Sequence, residues 1–135
     1  MDEMLTWSGV TQNGEAPKRV LDCGCGIGGT TRHLAKKFGN ETSLTGITLS
    51  QSQRDRATSL AAEQGVTNAE FKVMNALAME FEDDTFDFVW ACESGEHMPD
   101  KKKYIEEMTR VRKTIYFCIC TLCSSCIPTL SLIHI

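Results

Sequence analysis

The architecture this sequence predicts is an α/β fold with a doubly wound, mostly parallel sheet, and three observations carry that expectation. A short apolar run ends in Asp22 and passes through Gly24, Gly26, Gly28 and Gly29 straight into a helical pattern. Further runs rich in β-branched and aromatic residues recur near positions 43, 70 and 86. Between them lie stretches whose apolar residues repeat every three to four positions. Strands alternating with helices build a parallel sheet with crossover helices on its faces.

Each element has its own local reason. Asp2 to Trp7 reads as the last turns of a helix stopped near Gly9, and residues 11–17 as a polar linker. Arg19 to Cys23 is the first strand. The first helix runs from about Gly28 to Phe38 with Leu34, Ala35 and Phe38 on one stripe, and Gly39-Asn40 stops it. Ser43 to Leu49 is the second strand. Ser50-Gln51-Ser52-Gln53 has the spacing of a capping box, in which Ser and Gln side chains satisfy each other's backbone donors. That helix continues through Ala57, Leu60 and Ala61 to Gly65. Glu70 to Met74 alternates Phe71 and Val73 as a third strand. Glu82-Asp83-Asp84 makes a turn before a fourth strand, Phe86 to Trp90. A last helix, from Asp100 to about Arg112, places Tyr104, Ile105, Met108 and Val111 on one face.

The chain has 135 residues, which suits one domain with one core. Its formal charge is −4 and it has no broad basic face, which argues against a nucleic-acid partner. Lys101-Lys102-Lys103 reads as a solvated helix start, and Arg110, Arg112 and Lys113 suit a helix C-terminus. No run of 18 apolar residues exists, so no membrane span is expected. Met1-Asp2-Glu3 does not open a signal peptide. The expected partner is a small-molecule substrate. The expected location is soluble: cytoplasmic, or plastid if the natural N-terminus is missing.

Seven cysteines are many for this length. Cys23, Cys25 and Cys92 fall at strand ends, where small buried residues are ordinary. Cys118, Cys120, Cys123 and Cys126 crowd the tail. A zinc site usually takes two ligand pairs separated by a longer loop, so no metal is expected there. Residues 114–135 contain no acid, no lysine or arginine, and a single histidine, His134. Two regions follow: residues 1–113, and an atypical tail, 114–135, foreign to the fold and contributing at most one strand, near 115–120.

The chemistry concentrates at the glycine turn. A strand, a tight turn and a helix N-terminus form the usual cradle of a nucleoside cofactor at the carboxyl end of a first parallel strand. Two readings of it compete. Gly24-x-Gly26-x-x-Gly29 satisfies a dinucleotide fingerprint, a weak signal alone. That reading wants an acid about 20 residues past the turn, whereas the second strand ends Thr48-Leu49-Ser50. An anion at Asp22 would also disfavour a pyrophosphate. The alternative is Asp22-x-Gly24-x-Gly26-x-Gly28, which resembles the first motif of S-adenosylmethionine-dependent methyltransferases and is favoured. A glycine turn with no ligand is the third reading.

From Met1 to about Val111, about four fifths of the chain, the sequence resembles a branch of small-molecule methyltransferases that includes the tocopherol C-methyltransferases of photosynthetic organisms. Three signatures carry the resemblance: residues 20–29, Gly46-Ile47-Thr48-Leu49-Ser50, and Glu93-Ser94-Gly95-Glu96-His97-Met98-Pro99-Asp100-Lys101. The first is widely shared. The second is shared with cyclopropane-fatty-acid and mycolic-acid synthases. The third is narrower and favours the tocopherol-like branch. Sterol and sarcosine/glycine-type enzymes are further relatives.

The resemblance implies a Rossmann-like methyltransferase fold and S-adenosyl-L-methionine as cofactor. It implies a cofactor site of Asp22, Gly24, Gly26, Gly28, Thr48, Leu49, Gln53, Asn75, Ala76 and Glu93. Gln53 would reach the ribose, against its competing place in the capping box. Asn75 would face adenine, against a plain turn role. The implied function is methyl transfer to a lipophilic small molecule, with ring C-methylation of a tocopherol-like phenol preferred. Removing the phenol's proton loads electron density onto ring carbons, and Glu96, then His97, are the candidate bases. For His97 the competing role is to cap the loop before Pro99. Trp90 reads as core.

After Val111 the family continues with a Lys-Pro-Gly-Gly-type turn, a fifth strand and elements that cover the substrate. Here the pattern stops, so the chain reads as incomplete at its C-terminus and as carrying the cofactor half of the site. Other readings of its function are a cofactor-binding fragment without turnover, an unstable fragment, and an NAD-binding oxidoreductase domain.

Overall fold

The structure is a computed structural model. It describes residues 5, 6, 8–10, 14–92 and 94–113 in full, and the backbone of 117–120. Its strands are β1 (Arg19–Cys23), β2 (Ser43–Thr48), β3 (Ala69–Val73), β4 (Phe88–Cys92) and β5 (Phe117–Cys120). Its helices are α1 (Gly29–Phe38), α2 (Gln51–Glu63) and α3 (Lys101–Arg110), with a 3-10 turn at Gly95–His97. The strands form one parallel sheet in the order β3-β2-β1-β4-β5. The order reverses between β1 and β4, and at such a switch point the carboxyl ends of the strands open a crevice for ligands.

Alternation along the strands divides the core into two layers. Val20, Leu44, Phe71, Phe88 and Trp90 face Leu34 and Ala35 of α1 and Ala57 and Ala61 of α2, with Leu5 and Val10 beneath. Leu21, Ile47, Val89 and Ala91 face Tyr104 and Met108 of α3, together with Val111, Met79 and Phe86. Both faces of the sheet are thus covered, as a parallel sheet requires. Trp90 belongs to the α1-side core.

The helix ends follow their sequence signals. The Ser50 side chain caps α2 by accepting from the Gln53 backbone N–H at 3.3 Å. The reciprocal half of the box is not made, because Gln53 Oε1 accepts from Thr48 Oγ1 at 2.7 Å. Asp100 caps α3 through the Lys103 N–H at 2.9 Å, and Gly39 closes α1 by donating to the Ala35 carbonyl.

β2 ends one residue early, at Thr48, and β3 lies one residue early, at Ala69–Val73; the larger differences from expectation are at β4 and α3. β4 begins at Phe88 rather than Phe86. Phe86 makes only an isolated bridge to Arg112 and turns its ring edge onto Phe81 at 4.9 Å. α3 ends at Arg110, where the Arg110 and Val111 carbonyls accept from the Asp84 and Phe86 N–H groups instead of continuing the helix; the Arg110 guanidinium reaches back to the loop after β3. It donates to the carbonyls of Phe81 and Met79 and to Asp83 and Glu107. The backbone of 117–120 pairs in parallel with β4 from Val89↔Phe117 to Cys92↔Cys120. The side chains of the four tail cysteines lie outside the described residues.

Candidate functional site

The end of β1 is gripped from both faces of the sheet. On the α1 side, Asp22 is 3% exposed and accepts from Thr31 Oγ1 at 2.6 Å. It also accepts from the Thr31 backbone N–H. Thr31 lies in the first turn of α1, whose N-cap, Gly28, has no side chain to offer. Asp22 therefore caps α1 from the neighbouring strand. Burial outweighs these bonds and pushes its carboxyl up to about 6. On the α3 side, Ser94 Oγ reaches the Cys23 carbonyl at 2.9 Å and Tyr104 Oη at 2.7 Å. Burial, with Asp22 nearby, pushes the Cys25 thiol up to about 12, and burial does the same at Cys23. Neither sulfur is a nucleophile at neutral pH.

Between these grips the chain makes its glycine turn. The N–H groups of Gly24 and Cys25 both donate to the Ile47 carbonyl of β2, at 3.0 and 2.9 Å. The glycines serve different ends. A Cβ on Gly24 would lie 2.4 Å from Ser94 Cβ, and one on Gly28 would lie 2.5 Å from the Phe71 ring. Those two are packed tight by protein. Gly26, at φ +55°, has no protein atom within 4 Å of where a Cβ would stand. Gly26 therefore faces open space at the carboxyl edge of the sheet.

Apolar side chains surround that opening. Ile27 in the turn, Leu49 just past β2 and Val73 at the end of β3 are 50%, 70% and 44% exposed. They are the exposed large hydrophobic residues among those described, and all three sit at the carboxyl edge of neighbouring strands. Solvated apolar surface gathered at one edge fits a ligand with a flat apolar part.

The other expected residues divide. Thr48 is buried at the end of β2 and donates to Gln53, which is exposed beside it. Asn75 is exposed and its Oδ1 accepts from the Leu77 N–H at 2.9 Å, an Asx turn. Ala76 is buried in the α3-side core. Glu96 and His97 lie on the 3-10 turn, with His97 Nε2 3.6 Å from Glu96 Oε1. The Met98 N–H bonds the Gly95 carbonyl, and the His97 imidazole meets Glu96. Glu93 lies outside the described residues. Sequence reasoning missed Thr31, Ser94, Tyr104, Ile27 and Val73. The first three act through contacts between residues 9 to 71 positions apart. The exposure of Ile27 and Val73 is visible only once the strand ends are aligned.

Fold and site together define a doubly wound α/β domain with a ligand crevice built around a glycine turn. The chain belongs to the methyltransferase domain family, whose model matches residues 20–114. It is 52% identical over 114 residues to the chloroplastic tocopherol O-methyltransferase of Arabidopsis thaliana, covering 82% of this chain and 32% of that protein. It is 49% identical over 94 residues to the 2-methyl-6-phytyl-1,4-hydroquinone methyltransferase of a Synechocystis strain, covering 70% of this chain and 28% of that protein. Among solved structures, a SAM-dependent methyltransferase from Methanosarcina mazei aligns at a TM-score of 0.67 and 32% identity, over 76% of this chain and 51% of that one. The chain spans about a third of the length of the curated relatives it matches.

Proposed function

We propose that this chain is the cofactor-binding part of an S-adenosylmethionine-dependent methyltransferase acting on a lipophilic phenol. The observation that carries the reading is the open Gly26 corner, flanked by Ile27, Leu49 and Val73. Membership of the methyltransferase domain family supports it.

The residues present fit the cofactor. Gly26 offers open backbone that a ligand could approach closely, while Gly24 and Gly28 let the turn pack against Ser94 and Phe71 and so hold that corner in place. Leu49, with Ile27 and Val73, offers apolar contact to the adenine faces. Thr48 and Gln53 stand at the end of β2, where their polar atoms can take ribose hydroxyls. Asn75 and Ala76 begin the loop after β3 and would hold the adenine end. Asp22, when ionised, would place a negative charge behind the turn that could attract the cofactor's ammonium group. Glu93, next to Ser94 in sequence, completes the set.

Bound S-adenosylmethionine supplies an electrophilic methyl group on a sulfonium sulfur. The chain's own work is alignment and proton removal. Glu96 takes the acceptor's phenolic proton, and His97 stands within reach to share it. The resulting phenolate is nucleophilic at oxygen and at ring carbon. We infer ring-carbon transfer for the parent protein, in which the methylated ring carbon then gives up its hydrogen as a proton to restore the aromatic ring, whereas the name of the Arabidopsis relative places the methyl on oxygen. A plastid location accords with the chloroplastic relatives, and no described helix is long and apolar enough to cross a membrane.

Calorimetry of this chain with S-adenosylhomocysteine and with NAD tests the cofactor. Labelled methyl transfer to a prenylated hydroquinone by the full parent protein, with product analysis, tests the reaction. Label on oxygen alone would refute the ring-carbon reading.

A further inference from the structure

Ser94 and Tyr104 form a buried hydrogen-bonded chain whose direction is fixed by chemistry. The Cys23 carbonyl can only accept, so Ser94 donates to it at 2.9 Å. The Ser94 oxygen then accepts from the Tyr104 hydroxyl at 2.7 Å. Tyr104 is 1% exposed and Ser94 9%, so water does not substitute for either partner. Burial also raises the Tyr104 phenol further, and it stays a donor.

This chain joins three elements at one point. Tyr104 comes from α3, Cys23 ends β1, and Ser94 stands immediately before the Gly95–His97 turn. Ser94 is also the residue whose Cβ occupies the space a side chain on Gly24 would need. Glu96 and His97 lean on each other across 3.6 Å at the surface. The placement of their turn is therefore set from beneath, through Ser94.

We propose that Tyr104 is a positioning residue that acts through Ser94 to hold the Gly95–His97 turn in register with the glycine turn. The two sides of the crevice, one for the methyl donor and one for the acceptor's proton, are then a single rigid unit. The assignment of those two sides rests on the function proposed above.

The test compares Tyr104→Phe and Ser94→Ala with Met108→Val, a control from the next turn of the same helix whose side chain carries no hydroxyl. Thermal melting, amide hydrogen exchange at residues 24–28 and 95–98, and S-adenosylhomocysteine affinity are read on the full chain. Tyr104→Phe should speed exchange in both segments about fivefold and weaken binding about fivefold. Met108→Val should lower the melting temperature at least as much and leave both readouts at wild-type values. Ser94→Ala should reproduce Tyr104→Phe, and it stands as the test if Tyr104→Phe does not fold. Unchanged exchange at both segments, or an equal change in Met108→Val, would overturn the proposal. Should the wild type not bind S-adenosylhomocysteine, the cofactor reading fails, while the exchange pattern still decides this one.

Discussion

Gly26 and Gly65 share a left-handed backbone but not a setting. Their φ angles are +55° and +65°, and neither has a protein atom within 4 Å of where a Cβ would stand. An alanine at either position should therefore incur a similar backbone strain, about 1 kcal/mol. Only Gly26 faces the crevice. Gly26→Ala should abolish measurable S-adenosylhomocysteine binding while Gly65→Ala keeps wild-type affinity, with both melting at similar temperatures. Equal affinity in both variants would remove the glycine turn from the site. Asp22 makes a second residue-level prediction. Burial raises its carboxyl from 3.8 to about 6, so the folded state favours the neutral acid. The stability linked to that shift is present below about pH 4 and is lost as pH rises through about 6. Relative to Asp22→Asn, the wild type should lose on the order of 3 kcal/mol across that window, read from urea midpoints. A ligand ammonium beside the charged form would restore part of the loss, so wild-type affinity for S-adenosylhomocysteine should rise through the same range. Parallel curves for the two proteins would contradict the account.

Among the elements, α3 is tied down at both ends. Asp100 caps its start, and Arg110 at its end clamps the loop after β3 through the Phe81 and Met79 carbonyls, Asp83 and Glu107. Arg110→Met strips all these bonds at once and leaves the half-buried Glu107 without its counter-charge. It should cost about 2–3 kcal/mol in chemical denaturation, against about 1 kcal/mol for Asp100→Ala. Equal losses would show that the clamp adds nothing beyond a cap. The elements are largely legible in the sequence, because glycine stops, Ser50 and Asp100 caps and apolar stripes are local signals. The start of β4 is displaced by two residues because Phe86 and Phe88 look alike in a pattern of alternating aromatics; their partners, Phe81 and Trp90, distinguish them. The glycine turn is legible for the same local reason. The link from Thr31 to Asp22, and from Tyr104 through Ser94 to Cys23, is not, since no local spacing encodes which helix lands on which strand end.

At the scale of the molecule, one strand order explains the rest. With β1 at the centre and β4 beside it, the carboxyl edge brings the glycine turn, the β2 end and the Gly95–His97 turn around one crevice. β5 pairs with the open edge of β4. A chain ending at Lys113 leaves that edge bare, and bare edges associate. It should elute as larger species on size exclusion while the 135-residue chain does not, and neither should carry stoichiometric zinc. Zinc lost with the tail, together with a large fall in melting temperature, would make residues 114–135 a metal-stabilised module.

On the function proposed above, the open corner at Gly26 seats S-adenosylmethionine and not a dinucleotide. Isothermal titration of the chain with S-adenosylhomocysteine and with NAD tests it most directly. Saturable one-to-one binding of S-adenosylhomocysteine and no binding of NAD are expected. Tighter binding of NAD, or no binding of S-adenosylhomocysteine by folded protein, would contradict it.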